Sequence, residues 1–308
     1  MEQQEQQRDR ELIHELPGGI ADWLSLWRNV HRPEPRGIFH YTDAAGLHGI
    51  VNSGCLWATH IYYLNDSREF KYARQLIVTV LQAQIDNHPG PIVERLDQLR
   101  KCAQAHFALL ESIADPYVVC FCESGNLLSQ WRAYAADGNG FALEFEPARL
   151  MTALRKDPEL ASNVKLLRVV YDESQQRQFI ESAIEQLLKA FDTHGEQEVL
   201  NCVPRVFSEM SLCFKHHAFG EEQEWRLVFM PRGAERFVEV RVSRGRLLPY
   251  ASMPFCNRDE QPPYVSVVHG PTLEAENTQK AIQMLIGKAN RYWDRVNVSG
   301  SDAPLRSR

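Results

Sequence analysis

Two glutamates, Glu222 and Glu224, are separated by one residue and precede a largely apolar run at residues 225–230. On a β-strand, residues two apart project to the same face, so the sequence predicts that the two carboxylates lie side by side. Like charges in one small site repel each other, and their burial requires a partner or a ligand. The pair is therefore either a solvated strand start, with Arg226 as ion-pair partner, or part of a site for acid–base chemistry.

A histidine occupies the end of an earlier predicted strand. Residues 38–41 have the β-branched and aromatic content of a strand and include His40. Asp43 is expected to cap the helix that follows, Gly54 is expected to end it, and a second strand is expected at residues 56–59. A histidine in such a place is most often an ordinary side chain, but its imidazole can also hold a ligand hydroxyl or exchange a proton.

The composition predicts a cytoplasmic protein without membrane association. The 308 residues are 44% hydrophobic and 24% charged, which is enough for a substantial core. No apolar run approaches the roughly 20 residues that span a bilayer, and the first 15 residues lack the apolar segment of a signal peptide. Seven cysteines without such a signal indicate reduced thiols, and the net charge of −6 predicts no general affinity for nucleic acid.

The order of the predicted elements favours an α+β fold, because strands and helices do not alternate regularly as they would in a doubly wound parallel sheet. We predict a helical or flexible extension at residues 1–36, a single catalytic-like domain at 37–290 and a tail at 291–308. The domain contains a long helical insertion at residues 67–114, whose first helix is expected to be capped at Asn65-Asp66. A homo-oligomer or a regulatory protein partner is a further expectation.

Separated sequence blocks occur in a characteristic order along residues 39–287. They are Phe39-His40-Tyr41-Thr42, Cys120-Phe121-Cys122-Glu123-Ser124, Trp131-Arg132-Ala133-Tyr134, residues 140–145 and Val268-His269-Gly270-Pro271. Together they resemble a bacterial family catalogued as domain of unknown function 2971. The order of a histidine strand, a middle strand ending near Ser124 and a late strand opened by Glu-x-Glu is also similar to that of the ADP-ribosyltransferases.

The second resemblance implies an ADP-ribosyltransferase-like split antiparallel core that holds NAD, as a substrate, in a central cleft. Glu224 would then stabilise an oxocarbenium-like ribose, Glu222 would orient or deprotonate the acceptor, and His40 would hold ribose hydroxyls. The acceptor is left open among protein, nucleic acid, small molecule and water, and a role as a toxin or defence effector is a guess from this chemistry. The residues expected to contact NAD are Tyr41, Thr42, Ser124, Trp131, Arg132 and Tyr134.

Within that set, the chemistry of the side chains suggests separate tasks. Tyr41, Trp131 or Tyr134 would offer an aromatic face to nicotinamide, and the guanidinium of Arg132 matches a pyrophosphate. However, Trp131 and Tyr134 are three residues apart on a predicted helix, a spacing more typical of a core stripe than of a ligand platform.

Two other classes of function remain open. A non-catalytic module would use the same cleft to bind a ligand or a protein partner. A metal-dependent nuclease would combine acids among residues 221–224 with Asp137, but it would also need a lysine close to the acids, and Trp225 and Arg226 directly follow Glu224 instead. No metal site is predicted, because the Cys-x-Cys spacing of Cys120 and Cys122 is not that of a zinc knuckle.

Overall fold

The structure is a computed structural model that describes residues 35–304, apart from 65–67, 111–115, 232, 244 and 272–273. The first 34 residues of the predicted extension, the Asn65-Asp66 cap and the last four residues of the tail lie outside the described part. The chain divides into two compact units. Of the described residues, 35–64, 116–166 and 221–304 belong to the sheet unit, and 68–110 and 167–220 belong to the helical unit.

The described residues form both β-strands and α-helices, which confirms the predicted α+β class. The strands are β1 (Ile38–Thr42), β2 (Cys55–His60), β3 (Tyr117–Cys122), β4 (Phe141–Phe145), β5 (Val164–Arg168), β6 (Glu224–Phe229), β7 (Val238–Ser243), β8 (Arg246–Pro254), β9 (Tyr264–His269) and β10 (Asn297–Gly300). The helices are α1 (Ala44–Ser53), α2 (Arg68–Asn87), α3 (Ile92–Leu110), α4 (Leu128–Tyr134), α5 (Pro147–Leu154), α6 (Pro158–Asn163), α7 (Glu173–His194), α8 (Glu196–Cys213) and α9 (Ala275–Ala289).

The sheet forks at β3. The strand order is β10-β9-β4-β1-β3-β2-β8-β7, and β6 pairs with β3 along its whole length. On the other edge of β3, β1 pairs only at Cys122, whereas β2 pairs at Tyr117 and Val118. Two wings, β1-β4-β9-β10 and β2-β8-β7, therefore share one edge of a single central strand.

Each face of the sheet unit carries its own apolar cluster. The larger cluster includes Ile38, Phe121, Leu143 and Trp225, and α1, α5, α6 and α9 contribute buried side chains to it. Alternate residues of the same strands face the other way, as the period of a strand requires. There, a small cluster forms from Tyr41, Cys122, Trp131, Ala135 and Ala142.

The helical unit contains the predicted insertion together with α7 and α8. The long helices carry apolar residues at helical spacing, among them Ile77, Leu99, Ile180 and Phe207, all of which are fully buried. Polar pairs also join the helices at their rims. Tyr72 donates from its hydroxyl to Gln176 on α7 at 2.8 Å, and the Arg95 guanidinium pairs with Asp192 of α7 at 2.8 Å.

Several elements were missed from the sequence. β8, with two prolines at Pro249 and Pro254, and the short helices α5 and α6, each opened by a proline, were not predicted. β10 lies within the predicted tail and pairs in parallel with β9. Among the described residues, no helix is long and apolar enough to cross a membrane.

The capping signals around α1 are confirmed. Asp43 accepts a hydrogen bond from the backbone N–H of Gly46 at 2.8 Å. Gly54 ends the helix with φ of 61°, in the left-handed region that favours glycine. A Cβ on Gly54 would lie 2.0 Å from the carbonyl oxygen of Cys256, so both conformation and space require glycine here.

We predict that Gly54→Ala lowers the free energy of unfolding by about 2–4 kcal/mol, because the left-handed backbone alone costs roughly 1–2 kcal/mol and the steric overlap adds to it. Urea denaturation followed by circular dichroism measures this change. Gly245→Ala is the matched control, since Gly245 has φ of 74° but no atom within 4 Å of its Cβ position. Equal losses in the two variants would contradict the steric argument.

Candidate functional site

The two glutamates of the Glu-x-Glu pair lie on different elements. β6 begins at Glu224, whereas Glu222 ends a 3₁₀ turn at His217–Glu222. Gln223 between them has φ of 43°, which turns the chain before the strand starts. The prediction that both carboxylates project from one strand face is therefore wrong for Glu222.

Glu224 forms a buried ion pair with Arg226 on its own strand. The Nε and Nη2 groups of Arg226 donate to the two carboxylate oxygens of Glu224 at 2.8 and 3.0 Å. Glu224 is 4% exposed and Arg226 is 2% exposed. The two side chains meet because residues two apart share a strand face, and the guanidinium fork matches a carboxylate. Arg226 is thus the partner that the simplest sequence interpretation assigned to this carboxylate.

A transverse row of side chains crosses the sheet beside Glu224. The strand register places Glu224 opposite Cys122, Cys122 opposite Phe39, Phe39 opposite Glu144, and Glu144 opposite Ser266. Directly opposed residues of antiparallel strands project to the same face, so all five share one face. Phe39 and Glu144 are half-buried, and Ser266 donates to Glu144 at 2.8 Å.

Sequence reasoning missed Phe39 and Glu144 as members of this row. Both residues belong to the sequence blocks at 39–42 and 140–145. Their opposition depends on the pairing of β1 with β4, which neither segment encodes by itself. Two glycines make room around them. A Cβ on Gly37 would lie 2.5 Å from a carboxylate oxygen of Glu144, and one on Gly125 would lie 2.4 Å from the Phe39 ring.

The charges at this end of the sheet act on the thiol of Cys122. The pKa of Cys122 is raised to about 12, chiefly by burial, and the carboxylates of Glu222 and Glu224 act in the same direction. The thiol donates to the backbone oxygen of Ser124 at 2.9 Å. Cys122 is therefore a protonated, non-nucleophilic side chain at neutral pH. Because Glu222 contributes to the raised pKa of Cys122, its carboxylate lies within electrostatic range of the row even though Glu222 is not on the strand.

Tyr41 anchors the loop that contains Ser124. Its hydroxyl donates to the backbone oxygen of Ser124 at 3.0 Å and accepts from the backbone N–H of Leu127 at 2.9 Å. Burial raises the pKa of Tyr41, so the phenol stays protonated. The ring is 7% exposed and meets Trp131 edge-on, with centroids 4.9 Å apart. Tyr41 thus holds the Ser124 loop in place from inside the small cluster.

The other residues expected to contact NAD are spread over different environments. Trp131 is fully buried and donates from its indole N–H to Asn126 at 3.0 Å, as in the core interpretation of this helix. Arg132 and Tyr134 are exposed on α4. Thr42 is half-buried and, as the neighbour of Tyr41 on β1, faces the opposite side of the strand.

His40 lies at the fork of the sheet. Its Nδ1 is 2.9 Å from the carbonyl oxygen of Cys120, so Nδ1 carries the hydrogen and Nε2 keeps its lone pair. The ring lies against Phe121, with centroids 5.7 Å apart. Because His40 follows Phe39 on β1, it projects to the opposite face from Phe39 and Glu224. The register therefore does not bring His40 and Glu224 onto one face.

The environment of His40 favours the neutral imidazole. Burial lowers its pKa below the ordinary value, the positive charge of Arg241 lowers it further, and the hydrogen bond to Cys120 acts in the opposite direction. A neutral imidazole with one donor committed to the backbone can accept one further hydrogen bond through Nε2.

Among the described residues, no group of three or more His, Cys, Asp or Glu side chains is placed to hold a metal ion.

The comparison with protein families gives one match. Residues 130–227 match the profile of a family described as "Protein of unknown function (DUF2971)". The predicted resemblance to that family is confirmed over this part of the chain, which contains Trp131 and Glu222-x-Glu224 but not His40. No curated protein and no solved structure matches the chain.

We predict that Glu224→Gln lowers the free energy of unfolding by about 3–5 kcal/mol, because it leaves the Arg226 charge buried without its carboxylate. The double variant Glu224→Gln/Arg226→Gln is expected to recover most of this loss, since no uncompensated charge remains. A double-mutant cycle by urea denaturation measures the coupling. Single-variant effects that add to within about 0.5 kcal/mol would show that the pair contributes no coupling.

We predict that the folded state loses stability as the pH falls below 6.5, in part through His40. The unfolded histidine takes up a proton near its ordinary pKa of about 6.5, whereas folded His40 does so only at lower pH. The unfolded state then binds more protons, and the free energy of unfolding falls. His40→Asn, whose amide can replace the Nδ1 donor, should lose less stability than wild type between pH 7.5 and 5.5 in urea titrations. An identical loss in both proteins would contradict this assignment.

Proposed function

We propose that the sheet unit is an NAD-consuming enzyme, an ADP-ribosyltransferase or an NAD glycohydrolase, whose reactive carboxylate is Glu224. One observation carries the proposal: Arg226 holds and orients the Glu224 carboxylate through two hydrogen bonds at the first residue of β6, beside the central strand β3. It stands in the same row as the half-buried ring of Phe39 and near a second carboxylate, Glu222. Such a group stabilises positive charge that develops on a bound ribose.

The reaction breaks the bond between nicotinamide and C1′ of the ribose, and the bonding electron pair leaves with nicotinamide. The ribose becomes oxocarbenium-like, as in glycoside hydrolysis. An oxygen or nitrogen of the acceptor then forms the new bond to C1′ and loses a proton. Glu222 is assigned to this proton transfer, because a half-buried carboxylate beside the strand end is accessible to water and to an acceptor.

The surroundings of Glu224 suggest how NAD is held. The Phe39 ring is the stacking surface for nicotinamide in this proposal, since Trp131 is enclosed in the core. Ser124, fixed by Tyr41, borders the same row through Cys122. His40 keeps the fork of β1 and β3 in register and offers Nε2 to a ligand hydroxyl at the fork itself. Thr42, Arg132 and Tyr134 have no role in this version of the site.

The forked sheet, in which β1, β2, β3, β4 and β6 pair in antiparallel fashion, supports an ADP-ribosyltransferase-like fold as part of the same proposal. The proposed cleft lies where the wings of the sheet diverge, and the divergence begins between His40 and Cys120. A cytoplasmic location and a toxin or defence role belong to the proposal as well, because an enzyme that consumes NAD acts where NAD is present.

A non-catalytic binding module is the second candidate, and one observation favours it. The Glu224 carboxylate has both oxygens engaged by Arg226, an arrangement that a purely structural ion pair would also show. Such a module would bind NAD or another ligand on the same face without releasing nicotinamide.

The test measures nicotinamide released from NAD, with and without a cell lysate that supplies acceptors. We expect release by wild type and by Glu276→Gln, an exposed carboxylate on α9. We expect release to fall by about 100-fold or more in Glu224→Gln/Arg226→Gln, a variant in which the carboxylate is lost without an orphaned charge. Circular dichroism and urea titration establish that this double variant is folded.

Two results would contradict the proposal that the protein is an NAD-consuming enzyme. A folded double variant that releases nicotinamide at the wild-type rate would remove Glu224 from the reaction. The absence of release from wild type in both conditions, together with a rise in melting temperature on addition of NAD, would favour the binding module. Glu222→Gln should slow transfer to an acceptor more than it slows nicotinamide release, as measured with labelled NAD.

A further inference from the structure

Arg241 on β7 lies against two aromatic rings, those of Trp57 and Tyr250, which also contact each other edge-on with centroids 5.7 Å apart. Its guanidinium carbon lies 5.3 Å from the ring centre of Trp57 on β2 and 5.5 Å from that of Tyr250 on β8. The register places Tyr250 opposite Thr59 and opposite Glu239, so these residues share the sheet face that lies away from the main apolar core. Stacking of this kind fixes the plane of the guanidinium and directs its edge.

The polar contacts of Arg241 are few for a charged, half-buried side chain. Its Nη2 donates to the hydroxyl oxygen of Thr59 at 3.4 Å, at the long end of hydrogen-bond distances. Its Nε is buried and makes no hydrogen bond to any residue that the structure describes. Glu239, the acid nearest to Arg241 along β7, instead accepts a hydrogen bond from the hydroxyl of Tyr250 at 2.7 Å.

The charge of Arg241 is therefore poorly compensated within the described parts of the chain. Asp43 is the carboxylate whose charge favours the guanidinium, and no ion pair joins Arg241 to a carboxylate of the described residues. Burial lowers the pKa of its guanidinium, which is the direction expected for a charge removed from water without a close counterion. Buried charges are normally paired, so this arrangement indicates a counterion that the described residues do not supply.

We propose that Arg241 and Thr59 bind an oxyanion of the phosphate class beside the rings of Trp57 and Tyr250. The two terminal nitrogens of a guanidinium donate in parallel to two oxygens of a phosphate. The Thr59 hydroxyl, which accepts from Arg241, still has its own hydrogen to donate to a third oxygen. Three convergent donors fit the three free oxygens of a phosphate group better than the two oxygens of a carboxylate.

The anion site does not depend on the proposed release of nicotinamide, because it requires only that an anion binds to the sheet face formed by β2, β8 and β7. Free phosphate and a phosphate that belongs to a nucleotide share the chemistry recognised here. Inorganic phosphate, pyrophosphate and ADP-ribose therefore serve as probes, with acetate as the carboxylate probe and sodium chloride at equal ionic strength as the reference.

The experiment measures binding of each probe to the full chain by isothermal titration and by the shift in melting temperature. We expect phosphate-class probes to bind wild type and to raise its melting temperature above the sodium chloride reference. We expect Arg241→Met, which keeps an unbranched stem against the two rings, to weaken binding by about tenfold or more, since a charge-assisted contact is lost. Arg155→Met, at an exposed arginine of the sheet unit, is the matched control and should bind as wild type does.

A second variant keeps the proposal testable if Arg241→Met does not fold. Thr59→Val preserves the shape of the side chain and removes only its hydroxyl, so phosphate-class binding should weaken by severalfold while Arg241 remains. An equal response of wild type to phosphate and to sodium chloride would overturn the proposal. Unchanged phosphate binding in folded Arg241→Met would do so as well, and would leave Arg241 a packing residue. Binding of acetate as tight as that of phosphate would overturn the assignment to the phosphate class.

Discussion

The structure depends on one constraint at β3, whose single edge serves two strands. A strand edge offers one row of backbone donors and acceptors, and β1 and β2 each occupy only part of it. Between these two contacts the carbonyl of Cys120 is satisfied by the imidazole of His40 instead of a backbone N–H. A side chain thus completes the hydrogen bonding where the ladder cannot, as buried backbone groups require. Both wings, and the faces they present, follow from this arrangement.

The opposite edge of β3 is regular, and this regularity places the charged pair. β6 is aligned with β3 from Phe229 to Glu224, so the first residue of β6 reaches the same level as the last residue of β3. Glu224 and Arg226 consequently project from a fully buried strand next to Cys122. The cost of burying two charges is offset because the guanidinium fork and the carboxylate meet in bidentate geometry. A structural ion pair and an oriented catalytic carboxylate would have the same geometry, so a measurement of activity is needed to distinguish the two roles.

Local signals in the sequence predicted much of the fold, and long-range pairing explains most of what they missed. Asp43 and Gly54 were predicted correctly because a cap and a left-handed residue act within a few positions. The strand β1 was also recognised, because its β-branched and aromatic content is a property of the segment itself. The prolines of β8 concealed a strand that pairing with β2 and β7 stabilises. Glu222 was misplaced because the turn at Gln223 interrupts the alternation on which the prediction rested. Phe39, Glu144 and Arg241 became visible only through register, which no single segment encodes.

The position of the Glu224–Arg226 pair within one strand has an electrostatic consequence for any ligand that approaches. A carboxylate and a guanidinium fixed two residues apart form a small dipole with no net charge, and the field of a dipole decays more steeply with distance than that of a single charge. A polyanionic molecule that enters from solvent therefore does not experience Glu224 as a repelling charge, even in a protein of net charge −6. The carboxylate acts only at contact distance, on the atoms directly in front of it.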